Sequence, residues 1–157
     1  MLSLAQLSAS CFSDETLMRN TFRELTRHMP LRCMALCDVS RQKLLVVHQQ
    51  DGSTRFAKVE ACGSPSGYDD LLAAAEPRRL VQQWVERNVG VDTHAYQDFV
   101  FPQMLWNRSV CTIGFYLDGG AGAGPSEEEF LGMCAHFLAA EWEQANLLMH
   151  VAHHASL

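Results

Sequence analysis

Six cysteines and seven histidines carry most of the reactive chemistry open to this chain. Cys62 stands beside Gly63 in the loop-forming run Cys62-Gly-Ser-Pro-Ser-Gly67, where a thiol could meet an oxidant or a covalent ligand. Without something to lower its pKa, it is simply a thiol. Cys33, Cys37, Cys111 and Cys134 fall on strand and helix positions, where cysteine behaves as a small hydrophobe. No CxxC pair occurs and no histidine stands at a diagnostic spacing from a second ligand, so no metal site is expected. His94 precedes an apolar hairpin and could touch a ligand or an iron, although a hydrogen-bonded structural histidine is the plainer account. His150 and His154 are four apart on a terminal helix and could chelate an added metal incidentally. The run Gly119-Gly-Ala-Gly-Ala-Gly124 fits neither GxGxxG nor GxxxxGK[ST], and the acids after it would repel an anion. No catalytic residue is expected.

The elements that must position these groups read in order. Ser13 caps a helix with an apolar stripe through Leu17, Met18, Phe22, Leu25 and Met29, ended by Pro30. A weaker helical piece could span 1–12. Leu31 to Val39 is a strand apolar on both sides. Lys43 to Gln49 and Thr54 to Ala61 follow as a meander, with Asp51-Gly52 as a hairpin turn. Tyr68 to Ala75 and Arg78 to Asn88 are two short helices divided by Pro77. Val91 to Gln97 is a short strand or loop. Asp98 to Leu105 and Ser109 to Leu117 are strands joined at Trp106-Asn-Arg108. Ser126 and Glu129 suggest a capping box for a helix from Glu127 to His153, about 40 Å long.

That helix exceeds what its own sheet requires, so residues 143–157 are expected to start a connecting helix. Its stripe through Leu131, Cys134, Leu138, Trp142, Ala145, Met149 and Ala152, widened by Phe130, Phe137, Leu148 and Val151, is core as far as Trp142. Beyond that, Ala145, Leu148, Met149 and Ala152 are the candidates for contact with a partner helix. Tyr68, Trp84, His94, Tyr96, Phe99, Phe101 and Gln103 bracket the face that the two short helices would cover. They suit either a ligand pocket or ordinary core.

The totals agree with one domain: 157 residues, 48% hydrophobic, 19% charged. A net charge of −6 argues against direct nucleic-acid binding. No apolar run reaches the roughly 20 residues of a membrane span, and the N-terminus lacks a basic secretory start. A cytoplasmic protein with reduced thiols is expected.

The strand Phe99-Val-Phe-Pro-Gln-Met104, the strand Thr112-Ile-Gly-Phe-Tyr-Leu117 and the helix start Ser126-Glu-Glu-Glu-Phe130 resemble the C-terminal half of a GAF domain, and the element order extends the likeness over nearly the whole chain. The resemblance implies an α+β fold: a mixed, mostly antiparallel sheet of five to six strands, terminal helices on one face and a helical crossover over a ligand pocket on the other. A PAS-like layout is the second choice. It also implies a small-molecule or redox sensor, pairing as a homodimer through terminal helices and controlling an output domain in the same chain. The input domain of an alternative-sigma-factor-dependent transcriptional activator is the first expectation. The Asn-Lys-Xaa-Phe-Asp signature of cyclic-nucleotide-binding members and the Cys-His pair of bilin-binding ones are absent, so no cofactor is named. The alternatives are a ligand-free GAF-fold interaction module and a thiol-dependent methionine sulfoxide reductase using Cys62 or Cys111.

Overall fold

The structure, a computed structural model, describes residues 13–62 and 68–155. The helical piece expected over 1–12 and the loop residues 63–67 lie outside the described residues. Helix α1 spans Asp14–Thr26, strands β1, β2 and β3 span Leu31–Asp38, Lys43–Gln50 and Ser53–Glu60, and helices α2 and α3 span Tyr68–Ala75 and Pro77–Val89. Strands β4 and β5 span Tyr96–Leu105 and Arg108–Asp118, and helix α4 spans Pro125–Ala155. The stretch 91–97, expected as a short strand or loop, holds a 3₁₀ turn at Thr93–Ala95 capped by Asp92, and its last residues, Tyr96 and Gln97, already belong to β4.

The five strands form one sheet in the order β3-β2-β1-β5-β4, antiparallel at every pairing. No mixed pairing occurs among the described residues. The apolar run of β1 belongs to a central strand covered on both faces. Met34 and Leu36 point to the α1 and α4 side, while Cys33, Ala35 and Cys37 point to the α2 and α3 side. Each cluster buries apolar area that stabilises the fold at roughly 25 cal/mol per Å².

Local signals account for most boundaries. The Ser13 hydroxyl accepts from the Thr16 N–H at 3.2 Å, capping α1. Pro77 opens α3, where its missing N–H costs nothing, and Gly90 ends it at φ +80°. The β4–β5 turn is only Trp106-Asn107, both left-handed, so Arg108 is already strand. The capping of α4 differs from expectation. The helix begins at Pro125, and the Glu127 carboxylate accepts from the Gly124 N–H at 2.9 Å, so only the carboxylate half of a box forms, two residues earlier than Ser126 and Glu129 would place it. Its own backbone N–H, and then that of Gly124, hold the Glu127 carboxyl below the usual carboxylate pKa.

Candidate functional site: a cleft beside a buried ionic cluster

Strand β1 ends in Asp38, a carboxylate with no exposed surface. Burying a charge is costly unless it is paired and hydrogen-bonded. Here the chain turns back immediately, so Ser40 Oγ and the Arg41 N–H donate to Asp38 Oδ1 at 3.0 and 3.1 Å. Arg41 also donates to Oδ2 at 2.9 Å, and Trp142 Nε1 on α4 donates to the same oxygen at 2.8 Å. Glu143, also buried, accepts from Arg41 at 3.4 Å and from Arg108 at the base of the β4–β5 hairpin. Burial works against the Arg41 charge, but Asp38 and Glu143 more than offset it and raise its pKa. Two acids and two arginines thus tie the β1–β2 turn and the hairpin to the middle of α4.

A cleft of about 430 Å³ adjoins this cluster, within the range of small-molecule sites. Cys37, Thr112 and Pro102 form its floor on three neighbouring strands, and Ala73 and Ala74 of α2 form one wall. Val39, Met104, Val110 and Cys111 add apolar lining, while Ser40, Asp70 and Ser109 supply polar atoms. The two alanines leave room that larger side chains would fill. Burial pushes the Cys37 and Cys111 thiols well above the ordinary range, so both present neutral S–H groups. The arrangement favours a neutral, mostly apolar occupant with a few hydrogen-bonding groups.

None of the seven residues expected to line a pocket lines this cleft. Strand alternation separates them. Phe99 and Phe101 point to the α1 and α4 side, with Phe101 edge-on to Phe115 at 6.0 Å and against Gly132. Trp84 and Tyr96 pack on the other side. Tyr68 is exposed at the start of α2. His94 is exposed, with Nε2 3.3 Å from Glu86 Oε1, and Gln103 Nε2 donates at 3.5 Å to the Phe101 carbonyl. The expectation of one face is therefore corrected: the seven residues straddle the sheet. The centre of the crossover face is filled, with Val81 and Tyr116 closing over Gly114 and Trp84 buried in the same cluster.

The five described cysteines are free thiols. Cys62 is half-buried, and burial pushes its pKa up to about 11, so it lacks the lowered pKa of a reactive thiol. No group of three or more His, Cys, Asp or Glu side chains among the described residues could hold a metal ion. On α4, Ala145 is buried in its own domain, which corrects its place among the partner-facing residues, while Leu148, Met149 and Ala152 are exposed. No helix among the described residues is long and apolar enough to cross a membrane.

Sequence reasoning missed Asp38, Arg41, Arg108 and Glu143. The available signal was an aspartate ending an otherwise buried strand, which requires a cationic or hydrogen-bonding partner. The chain matches no protein-family model, no curated protein and no solved structure.

Proposed function

We propose that this chain is a non-catalytic sensory module in which a small neutral molecule in the cleft shifts the packing of α4. The observation that carries this reading is the sharing of Ser40. It lines the cleft and donates to Asp38, and Asp38 holds Trp142 on α4. An occupant pressing on Ser40 or Cys111 would favour one arrangement of the cluster, and hence of the helix, if it binds the two arrangements unequally. The antiparallel sheet, with α1 and α4 on one face and α2 and α3 on the other, supports a GAF-like architecture. On that resemblance the proposed setting is cytoplasmic, with a second copy as partner and an output segment in the same chain. The first choice is the input side of an alternative-sigma-factor-dependent activator. Burial holds all five described thiols protonated, so a sulfoxide reductase finds no support in them.

Ala73→Phe fills the cleft and supplies the test. Native mass spectrometry is expected to show extra mass on the wild type that the variant lacks, or indole, as a neutral apolar probe, is expected to raise the wild-type melting temperature alone. No mass beyond the polypeptide on the wild type and no response to indole would overturn ligand sensing. Asp38→Asn is expected to leave probe binding in place while abolishing any change in amide exchange along 138–149.

The filled centre of the crossover face favours a second reading, an interaction module that takes no ligand. Under it, neither protein carries mass beyond its polypeptide, and Ala73→Phe leaves partner binding unchanged.

A further inference from the structure

The sheet has two edge strands, β3 and β4, and the chain treats them differently. An edge presents N–H and C=O groups with which another extended chain can pair, so edges are commonly blunted. On β4, Pro102 removes a donor, the register shifts between Gln103 and Met104, and Arg78 Nη1 donates to the Asp98 carbonyl at 3.2 Å. Strand β3 has no proline, and its eight residues keep one unbroken register with β2.

The turn before β3 fixes which of its backbone groups face outward. Asp51 and Gly52 both have positive φ, 52° and 78°, and a two-residue turn of this kind is flanked by a hydrogen-bonded pair, here Gln50 and Ser53. Alternation then bonds Arg55, Ala57 and Val59 to β2 and turns the N–H and C=O of Thr54, Phe56, Lys58 and Glu60 to the open side. The Thr54 carbonyl agrees, since it accepts from Arg19 Nη1 of α1 at 3.0 Å. Donors repeating about every 7 Å in a straight row fit an extended backbone.

We propose that the β3 edge takes an extended segment of a different protein as a sixth strand, with an acidic side chain opposite Arg55 and an apolar one opposite Phe56. Phe56 packs half-buried on the α1 and α4 side and offers a cross-strand contact there. Arg55 points to the other side, is exposed, and has no ion pair among the described residues. An acid from a partner strand would supply one. A second copy pairing antiparallel through its own β3 cannot, because Arg55 would meet Ser53, Arg55, Ala57 or Val59 in any register. Residues 1–12 and 63–67 contain no acid either. The partner strand lies apart from the cleft, so this inference goes beyond ligand sensing and does not depend on it.

The probe is a fluorescein-labelled peptide, Lys-Val-Thr-Val-Ile-Glu-Thr, which in an antiparallel register sets Lys opposite Glu60, Ile opposite Phe56 and Glu opposite Arg55. Fluorescence anisotropy with the full chain is expected to show saturable binding. Arg55→Glu is expected to weaken it about tenfold and to prefer the peptide carrying Lys in place of Glu. Thr54→Pro removes an outward N–H and no bond to β2, so it is expected to keep the melting temperature and weaken binding at least about fivefold. Amide exchange in the free chain is expected to be fast at Thr54, Phe56 and Lys58 and slow at Arg55 and Ala57, with the peptide slowing the first three. Their protection in the free chain would mean that the edge is already covered, and the proposal would fall. It would fall equally if the wild type bound no peptide, if Arg55→Glu kept its preference for the acidic peptide, or if Thr54→Pro converted a dimer into a monomer, which would give the edge to a second copy. No arm touches the cleft, so failure here and failure of sensing are separately visible.

Discussion

Gly114 shows how one residue can decide the packing of the crossover face. A methyl group there would lie 3.0 Å from Val81 Cγ1, 3.1 Å from Tyr116 Cε2 and 3.2 Å from Tyr116 Oη. Gly114→Ala is expected to cost about 1–3 kcal/mol by overpacking. Tyr116 Oη itself is buried without a hydrogen-bond partner among the described residues, as is Trp84 Nε1. Tyr116→Phe is therefore expected to leave stability unchanged or raise it by about 1 kcal/mol, and to lessen the cost of Gly114→Ala in the double variant. Urea denaturation of the three variants settles the matter. A clear loss in Tyr116→Phe would show that the hydroxyl has a partner after all. At this scale the sequence exposed residue type better than residue role. Cys33, Cys37 and Cys111 read as small hydrophobes and are buried, because a thiol in an apolar run has little else to do. Asp38 carried a signal as a carboxylate ending a buried strand, but its pairing with Trp142 was not legible, because that residue stands 104 positions away.

Elements were legible where periodicity or a turn residue marks them. All three meander strands, α2 and α3 with Pro77 opening the second, and α4 stand within a few residues of their expected bounds. The assignment of faces failed where alternation mattered. Phe99 and Phe101 share a strand with Tyr96, but the pleat sends them to opposite sides. Amphipathic reading also placed Phe130 and Phe137 in the core stripe, whereas the helix turns them outward. A 27-residue expectation with apolar residues on two sides contains two stripes, and the 3.6 and 3.5 repeats are hard to separate until one of them is docked. The ionic cluster gives the prediction for this scale. Asp38→Ala removes the acceptor for Trp142 and Arg41 from a fully buried position and is expected to cost about 3–5 kcal/mol. Arg108→Ala removes a partner whose side chain is 68% exposed and is expected to cost under about 1 kcal/mol. Equal losses from the two, measured by the same denaturation, would show that the cluster is not anchored at Asp38.

For the whole molecule, the two-sided burial of one sheet has a consequence for pH. Cys33, Cys37 and Cys111 are all buried on or beside the central strand pair β1 and β5. Burial disfavours their thiolates, raising Cys33 to about 12 and lifting Cys37 and Cys111 well above the ordinary thiol range. In the unfolded chain a thiol ionises near about 8.5. Between those values the unfolded state releases protons that the folded state keeps. Stability is therefore fully present below about pH 8.5 and falls as pH rises, the sign expected when the folded pKa of an acid is raised. At about pH 9.5 the loss is about 1.4 kcal/mol per thiol and roughly 4 kcal/mol for the three together. Stability from urea denaturation under reducing conditions should decline by at least that amount between about pH 7.5 and pH 9.5, because burial also raises Cys62 to about 11. Cys33→Ala should recover about 1.4 kcal/mol of the decline while lowering stability at neutral pH only by its own packing cost. A flat profile would mean that water or an alternative packing reaches the thiols. The cleft floor at Cys37 would then belong to a looser structure than two closed layers around a five-stranded sheet.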